Sequence, residues 1–129
     1  MPETLHTILV LDDEERVREL LLEYLSEFDE FTLIGAGSGE EALDLLRQSP
    51  VELCVVDIRL PGMNGADFIE AASAAKLCKR FLVHTGSDEF TLSGALLDLG
   101  LVKQDVFYKP VDAGEMLDRI RLVLKQGRE

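Results

Sequence analysis

The 129-residue chain holds 13 basic against 25 acidic residues, a net charge of −12 at pH 7, with 47% hydrophobic and 6% aromatic content. That length gives one domain with a buried core, and so acidic a surface repels phosphate backbones, which argues against direct binding of nucleic acid. No apolar run reaches the length of a membrane span, and the start, Met-Pro-Glu-Thr-Leu-His, lacks the basic head and apolar run of a secretory signal, so no membrane association and a cytoplasmic location are expected.

A first strand is predicted at His6–Leu11, where Ile8, Leu9, Val10 and Leu11 are apolar in succession. It runs into Asp12-Asp13-Glu14-Glu15; Asp13 is the predicted cap of the next helix, whose first-turn acids suit its dipole. Val17, Leu20, Leu21, Tyr24, Leu25 and Phe28 form a helical stripe. A second strand, Phe31–Ala36, leads through glycines to a second helix, Gly39–Gln48, with Ser38 and Glu41 at capping-box spacing. Gly35, Gly37 and Gly39 lack the spacing of a dinucleotide fingerprint or a P-loop and read as a strand-to-helix turn.

Val51–Val56 reads as a strand buried on both faces that ends on a lone acid, Asp57. Pro61, Gly62 and Gly65 follow, then a third helix near 66–75. A fourth strand is predicted at 80–85, ending in His84-Thr85-Gly86, with a fourth helix capped by Ser87 or Asp88 and running to Leu99. A fifth strand at 105–109 ends in Lys109-Pro110. Asp112 and Glu115 cap a last helix carrying Met116, Leu117, Ile120, Val123 and Leu124, and the tail, 126–129, reads as frayed. Five strand–helix repeats give an α/β doubly wound parallel sheet. Cys54 in an apolar run and Cys78 in a polar stretch form no disulfide framework and read as inert thiols. His6 and His84 have no neighbours at metal-ligand spacing and read as structural.

In a parallel sheet all carboxyl ends share one rim, where open α/β sheets bind their ligands. The polar residues there are Asp12, Asp13, Asp57, Thr85 and Lys109. Singly each has a plainer role: cap, solvated neighbour, turn acid, β-branched strand residue, exposed strand end. Together they make a chemical set. Three close carboxylates raise one another's proton affinity unless a hard cation joins them, Mg²⁺ first and Mn²⁺ as the alternative. Lys109 adds a positive charge and Thr85 a hydroxyl, which suits an incoming phosphoryl group; Asp57 is the natural nucleophile, forming an aspartyl-phosphate.

With Ile8-Leu-Val-Leu-Asp12-Asp13-Glu14, Asp57-Ile-Arg-Leu-Pro61-Gly-Met63-Asn-Gly65, Thr85-Gly86 and Lys109-Pro110 in this order, the chain resembles the receiver domain of two-component response regulators. The resemblance implies a flavodoxin-like sheet in the order 2-1-3-4-5. It implies that Asp57 takes a phosphoryl group from the phosphohistidine of a sensor histidine kinase or phosphotransfer protein. Asp13, Asp57 and the backbone carbonyl of Arg59 would ligate Mg²⁺, Asp12 would act through metal-bound water, and Lys109, before a cis proline bond, would contact the phosphoryl oxygens. Thr85 would move toward the phosphoryl group and signal to a downstream protein or output domain through the face of the fourth helix, fifth strand and fifth helix, which could also carry a homodimer. The protein would catalyse only its own phosphotransfer and slow dephosphorylation.

Three features depart from that family. Its switch aromatic, three residues before the lysine, is Val106 here, with Tyr108 two residues on and on the same face as a candidate substitute; the alternative is that Phe107 and Tyr108 are core. The stretch 100–105 is about two residues longer than usual, which bears on the output face. Gly86 loosens the loop after Thr85. Arg59 and Ser87 stand where the resembled family tunes access of hydrolytic water to the phosphate. Two rivals stand beside the receiver. An aspartyl-phosphate phosphatase needs a second acid where Arg59 stands; a non-phosphorylated scaffold has no use for the complete acid, threonine and lysine set, while Val106 in place of the switch aromatic keeps that reading open. Residues 1–129 are expected to form one receiver domain with no output domain in this chain, as a single-domain regulator or as a piece of a longer one.

Overall fold

The computed structural model describes residues 5–126. In chain order they form β1 (His6–Leu11), α1 (Glu15–Ser26), β2 (Phe31–Ala36), α2 (Gly39–Gln48), β3 (Val51–Val56) and α3 (Gly65–Ala74), then β4 (Cys78–Thr85), α4 (Gly94–Asp98), β5 (Val106–Tyr108) and α5 (Ala113–Gln126). The five strands make one parallel sheet in the order β2-β1-β3-β4-β5, as the resemblance implies. No helix among the described residues is long and apolar enough to cross a membrane.

Period-two alternation sorts the strand side chains between two cores. Ile8, Val10, Leu53, Val55 and Leu82 meet Leu25 of α1 and Met116, Ile120 and Val123 of α5. Leu9, Leu11, Cys54, Val56 and Val83 face the other way, onto Ala42 and Leu46 of α2 and Phe68, Ile69 and Ala72 of α3. Each fully buried large side chain contributes about 1.5–3 kcal/mol. The central strands are therefore fixed from both sides, and their carboxyl ends cannot wander. Both cysteines are free and buried, and burial raises the Cys54 thiol well above its ordinary range, which disfavours its thiolate.

Several boundaries differ from the sequence expectation, each for a local reason. Asp13 does not cap α1: the cap position is Glu14, without a side-chain cap bond, and the Glu14 N–H donates to Asp12 Oδ1 at 2.9 Å. Phe28 lies past the helix end but still packs on the α1–α5 core. Asn64 caps α3 by accepting from the Asp67 N–H at 2.8 Å, so the helix begins one residue earlier than expected. β4 starts at Cys78, which is buried in the strand rather than in a polar stretch.

The largest difference is α4, which was expected from Ser87 or Asp88 and spans only Gly94–Asp98. The Ser87 N–H is turned back onto Thr85 Oγ1 at 3.1 Å, and the Phe90 carbonyl accepts from the Tyr108 hydroxyl at 2.8 Å, so neither group serves a helix. Ser93 caps the helix instead, accepting from the Leu96 N–H at 3.3 Å. β5 is also shorter than 105–109. Lys103–Asp105 forms a 3-10 turn, because the buried Asp105 carboxylate accepts from the Val102 N–H at 2.9 Å and from Arg119 Nε of α5 at 2.9 Å. The expected fraying of 126–129 lies outside the described residues, except for Gln126, which closes α5. Residues 1–4, part of the start read for a secretory signal, lie outside the described residues too.

Candidate functional site

Sheet hydrogen bonding carries the polar residues onto the rim. The Asp12 N–H donates to the Ala36 carbonyl at 3.1 Å, the Asp57 N–H to Leu11 at 2.9 Å and the Lys109 N–H to Thr85 at 2.8 Å. Each of these three is thus an extra rung on a ladder whose register the core sets. Gly65 fixes the turn beyond Asp57, since a Cβ there would stand 2.2 Å from the Asp57 carbonyl oxygen and 2.8 Å from Ile58 Cα. Gly62 takes a φ of +75°, open to glycine without strain. The Met63 N–H of the same turn donates to Glu40 Oε2 of α2 at 3.1 Å.

Asp12, Asp13 and Asp57 each bring a carboxylate oxygen within 4.8 Å of the others. Asp12 is fully buried, Asp57 is 4% exposed, and Asp13 faces solvent. Lys109 Nζ lies 2.9 Å from Asp12 Oδ2, 3.4 Å from Asp57 Oδ2 and 3.4 Å from Glu14 Oε1. Its peptide bond to Pro110 is cis. The Arg59 N–H donates to Asp57 Oδ1 at 3.3 Å, and the Arg59 guanidinium donates to Ser87 Oγ at 3.4 Å. The two residues expected to tune water access therefore touch each other.

Electrostatics follow from this crowding. Burial first, and then the Asp12 carboxylate, push Asp57 up to about 6, against the downward pull of Lys109 and the Arg59 N–H. Burial opposes the charge on Lys109, but Asp12, Asp57 and Glu14 outweigh it and hold the ammonium above its ordinary value. An acid kept this reluctant to ionise, beside two further carboxylates, marks an excess of negative charge that Lys109 offsets only in part. An all-oxygen donor set with one solvent-facing member fits a hard divalent ion such as Mg²⁺, which keeps several of its own waters.

Thr85 is fully buried at the end of β4, its Oγ1 accepting from the Ser87 N–H. Val106 is half-buried and packs on the α2–α3 side, while Phe107 packs on the α1–α5 core. Tyr108 is 44% exposed with its hydroxyl on the Phe90 carbonyl, so the alternative that both aromatics are core holds for Phe107 and fails for Tyr108. Sequence reasoning missed Glu14 as a partner of Lys109, Arg18, whose Nη1 donates to the Asp12 carbonyl at 2.7 Å, and Glu40. The acid run 12–15 was the one signal pointing to Glu14; Arg18 and Glu40 have none, because their contacts are tertiary. His6 pairs with Glu52 at 3.3 Å, a structural role as expected. His84 is buried too, but its Nε2 sits 3.5 Å from Asp12 Oδ2.

A family model described as the response regulator receiver domain matches residues 8–121. Among curated proteins, response regulator GtcR of Aneurinibacillus migulanus is 35% identical over 95% of this chain and 49% of that protein. Transcriptional regulatory protein CpxR of Escherichia coli (strain K12) is 32% identical over 95% of this chain and 51% of that protein. The chain spans about half the length of these relatives. A solved response regulator receiver protein from Pseudomonas putida superposes with a TM-score of 0.77 at 28% identity, covering 93% of this chain and 98% of that one.

Proposed function

The chain belongs to the response regulator receiver domain family, the phosphorylatable receivers of two-component signalling, and on that premise we propose that Asp57 is its phosphoryl acceptor. The observation that carries this is the placement of Asp57: at the end of the central strand β3, nearly buried, within the acid trio and 3.4 Å from the Lys109 ammonium. A carboxylate so placed forms a new P–O bond as the P–N bond of a phosphohistidine donor breaks, the freed imidazole leaving with the bonding pair. The donor is a sensor histidine kinase or a phosphotransfer protein.

Asp13, Asp57 and the Arg59 carbonyl would hold Mg²⁺, with Asp12 acting through its waters, and the ion would supply charge neutralisation for the phosphoryl oxygens and the trio. Lys109 supplies a fixed cation 3.4 Å from Asp57 Oδ2. Burial keeps Asp57 among these fixed charges rather than in bulk water, which strengthens each interaction. Slow autodephosphorylation completes the cycle, with Arg59 and Ser87 bridging the mouth through which water reaches the acyl phosphate.

The phosphoryl group adds about −1.5 to −2 charge and three acceptor oxygens where Thr85 ends β4. We assign Thr85 the first move. Drawing its hydroxyl inward breaks the bond from the Ser87 N–H and loosens the loop 86–93, which is also tied by Arg59 to Ser87 and by Tyr108 to Phe90. Tyr108 thereby takes over the reporting role that Val106 has no polar atom to fill. The surface altered includes Leu97 and Tyr108, exposed on α4 and β5, through which a cytoplasmic partner, an output domain or a second copy is engaged.

Incubation with acetyl phosphate and Mg²⁺ followed by intact-mass measurement tests the assignment. Wild type gains the mass of one phosphoryl group and Asp57→Asn gains none. No adduct on wild type would leave a partner-binding scaffold as the better account.

A further inference from the structure

On the back of the acid trio, α1, β4 and the β5–α5 turn enclose a cleft of about 510 Å³ whose wall includes Leu21, His84, Lys109, Val111 and Met116. His84 points to the side of the sheet opposite Thr85, is 2% exposed, and places Nε2 at 3.5 Å from Asp12 Oδ2. Among the described residues that nitrogen has no hydrogen-bond partner. A buried polar atom left unpaired beside a buried carboxylate is costly unless it is used in another state of the molecule.

We propose that His84 is a positioning residue for Asp12, donating its Nε2–H to Asp12 Oδ2 when Lys109 turns toward a phosphoryl group on Asp57. The inference rests on the acceptor assignment above. In the resting protein Asp12 Oδ2 is held by Lys109 at 2.9 Å, and Oδ1 by the Glu14 N–H. An acyl phosphate on Asp57, whose Oδ2 already lies 3.4 Å from Nζ, draws the ammonium away from Asp12. Asp12 is fully buried and cannot take a water donor from bulk solvent on that side. Among the described residues the imidazole nitrogen stands uncommitted at the edge of reach of Asp12 Oδ2, on the cleft side, and the cleft beside it leaves the ring and the lysine room to shift. Burial disfavours a charged imidazole, and in the proposed arrangement the single proton of the neutral ring sits on Nε2, the nitrogen that faces Asp12 Oδ2.

The exchange makes the release of Lys109 easier. It also confines the effect of His84 to the phosphorylated state, because Mg²⁺ alone leaves Lys109 on Asp12. Beryllofluoride, a phosphoryl mimic, serves as the probe, with Mg²⁺ binding measured separately. His84→Leu, which keeps the apolar volume, weakens beryllofluoride binding about tenfold and leaves Mg²⁺ affinity within about twofold; His84→Gln, which restores an N–H donor, returns to within about threefold of wild type. In wild type, imidazole NMR shows the Nε2–H tautomer, and its proton moves downfield on adding beryllofluoride with Mg²⁺ and stays put with Mg²⁺ alone. An Nδ1–H tautomer, an unmoved Nε2–H signal, or equal beryllofluoride affinity in a folded His84→Leu protein overturns the proposal while the acceptor assignment stands. Failure of wild type to bind beryllofluoride overturns both.

Discussion

The acidic rim and the α4–β5 face lie a few residues apart along β4 and β5 yet are built on different terms. On the rim, Thr85 closes β4 and Asp12, Asp57 and Lys109 each extend a strand by one hydrogen-bonded position, so strand register decides where these four residues stand. On the face, α4 spans only Gly94–Asp98, Leu97 is 53% exposed, and the loop 86–93 is tied by side-chain contacts at Ser87 and Phe90. A rim set by strand register is stiff, as chemistry with fixed charges requires. A face held by a few exchangeable bonds can take two arrangements, as a switch requires.

The sharpest way to break this contrast is to loosen the one rigid tie on the face. Asp105→Ala leaves Arg119 without its partner at the α5 contact and destabilises the fold by about 3 kcal/mol, read as a lower urea midpoint. An unchanged midpoint would show the face to be loose throughout. On the rim, Lys109→Met removes the cation opposite Asp57 and lowers the rate of adduct formation from acetyl phosphate about a hundredfold. A rate near wild type would mean that the divalent ion alone supplies the positive charge.

Titration of Asp57 gives a smaller effect with a definite sign. Its carboxyl is raised from 3.8 to about 6 in the fold, so the folded protein holds that proton more tightly than the unfolded chain does. Its contribution therefore favours the fold as pH falls from above 6 toward 4, and is lost as pH rises through 6. Without divalent ions, Asp57→Asn is more stable than wild type by about 1–2 kcal/mol above that range, a difference that shrinks toward pH 5 and that saturating Mg²⁺ abolishes. Denaturant curves at several pH values with chelator or Mg²⁺ check each arm. The smallest effect belongs to Tyr108→Phe, which removes the bond to Phe90 and costs about 1 kcal/mol of local order in the loop 86–93. Amide exchange there rises in the resting protein while the phosphorylation rate is unchanged; a changed rate would merge the two regions into one.

The same contrast explains what the sequence could disclose. Unbroken apolar runs ending in Asp12 and Asp57, and a shorter one, Phe81-Leu82-Val83, two residues before Thr85, state both the strand and the residue it delivers, because burial on two faces leaves a continuous hydrophobic signal. The rim was legible for that reason, down to the glycine at 65 that the Asp57 backbone excludes from carrying a side chain. Asp13 as a cap was misread because the neighbouring Asp12 carboxylate takes the Glu14 N–H. The start of α4 was hidden because Ser87 and Asp88 are good caps locally, and only a tertiary bond, Tyr108 to Phe90, diverts the carbonyl a helix would need. Asp105 likewise looks like a strand start until Arg119, fourteen residues on, turns its carboxylate inward.

Borohydride reduction of the protein after acetyl phosphate and Mg²⁺ converts an aspartyl-phosphate to homoserine, and peptide mass spectrometry then locates it. Homoserine at position 57, formed with Mg²⁺ and lost with chelator, is the predicted result. Conversion at Asp12 or Asp13, or at no residue, would contradict the assignment of Asp57 as the acceptor.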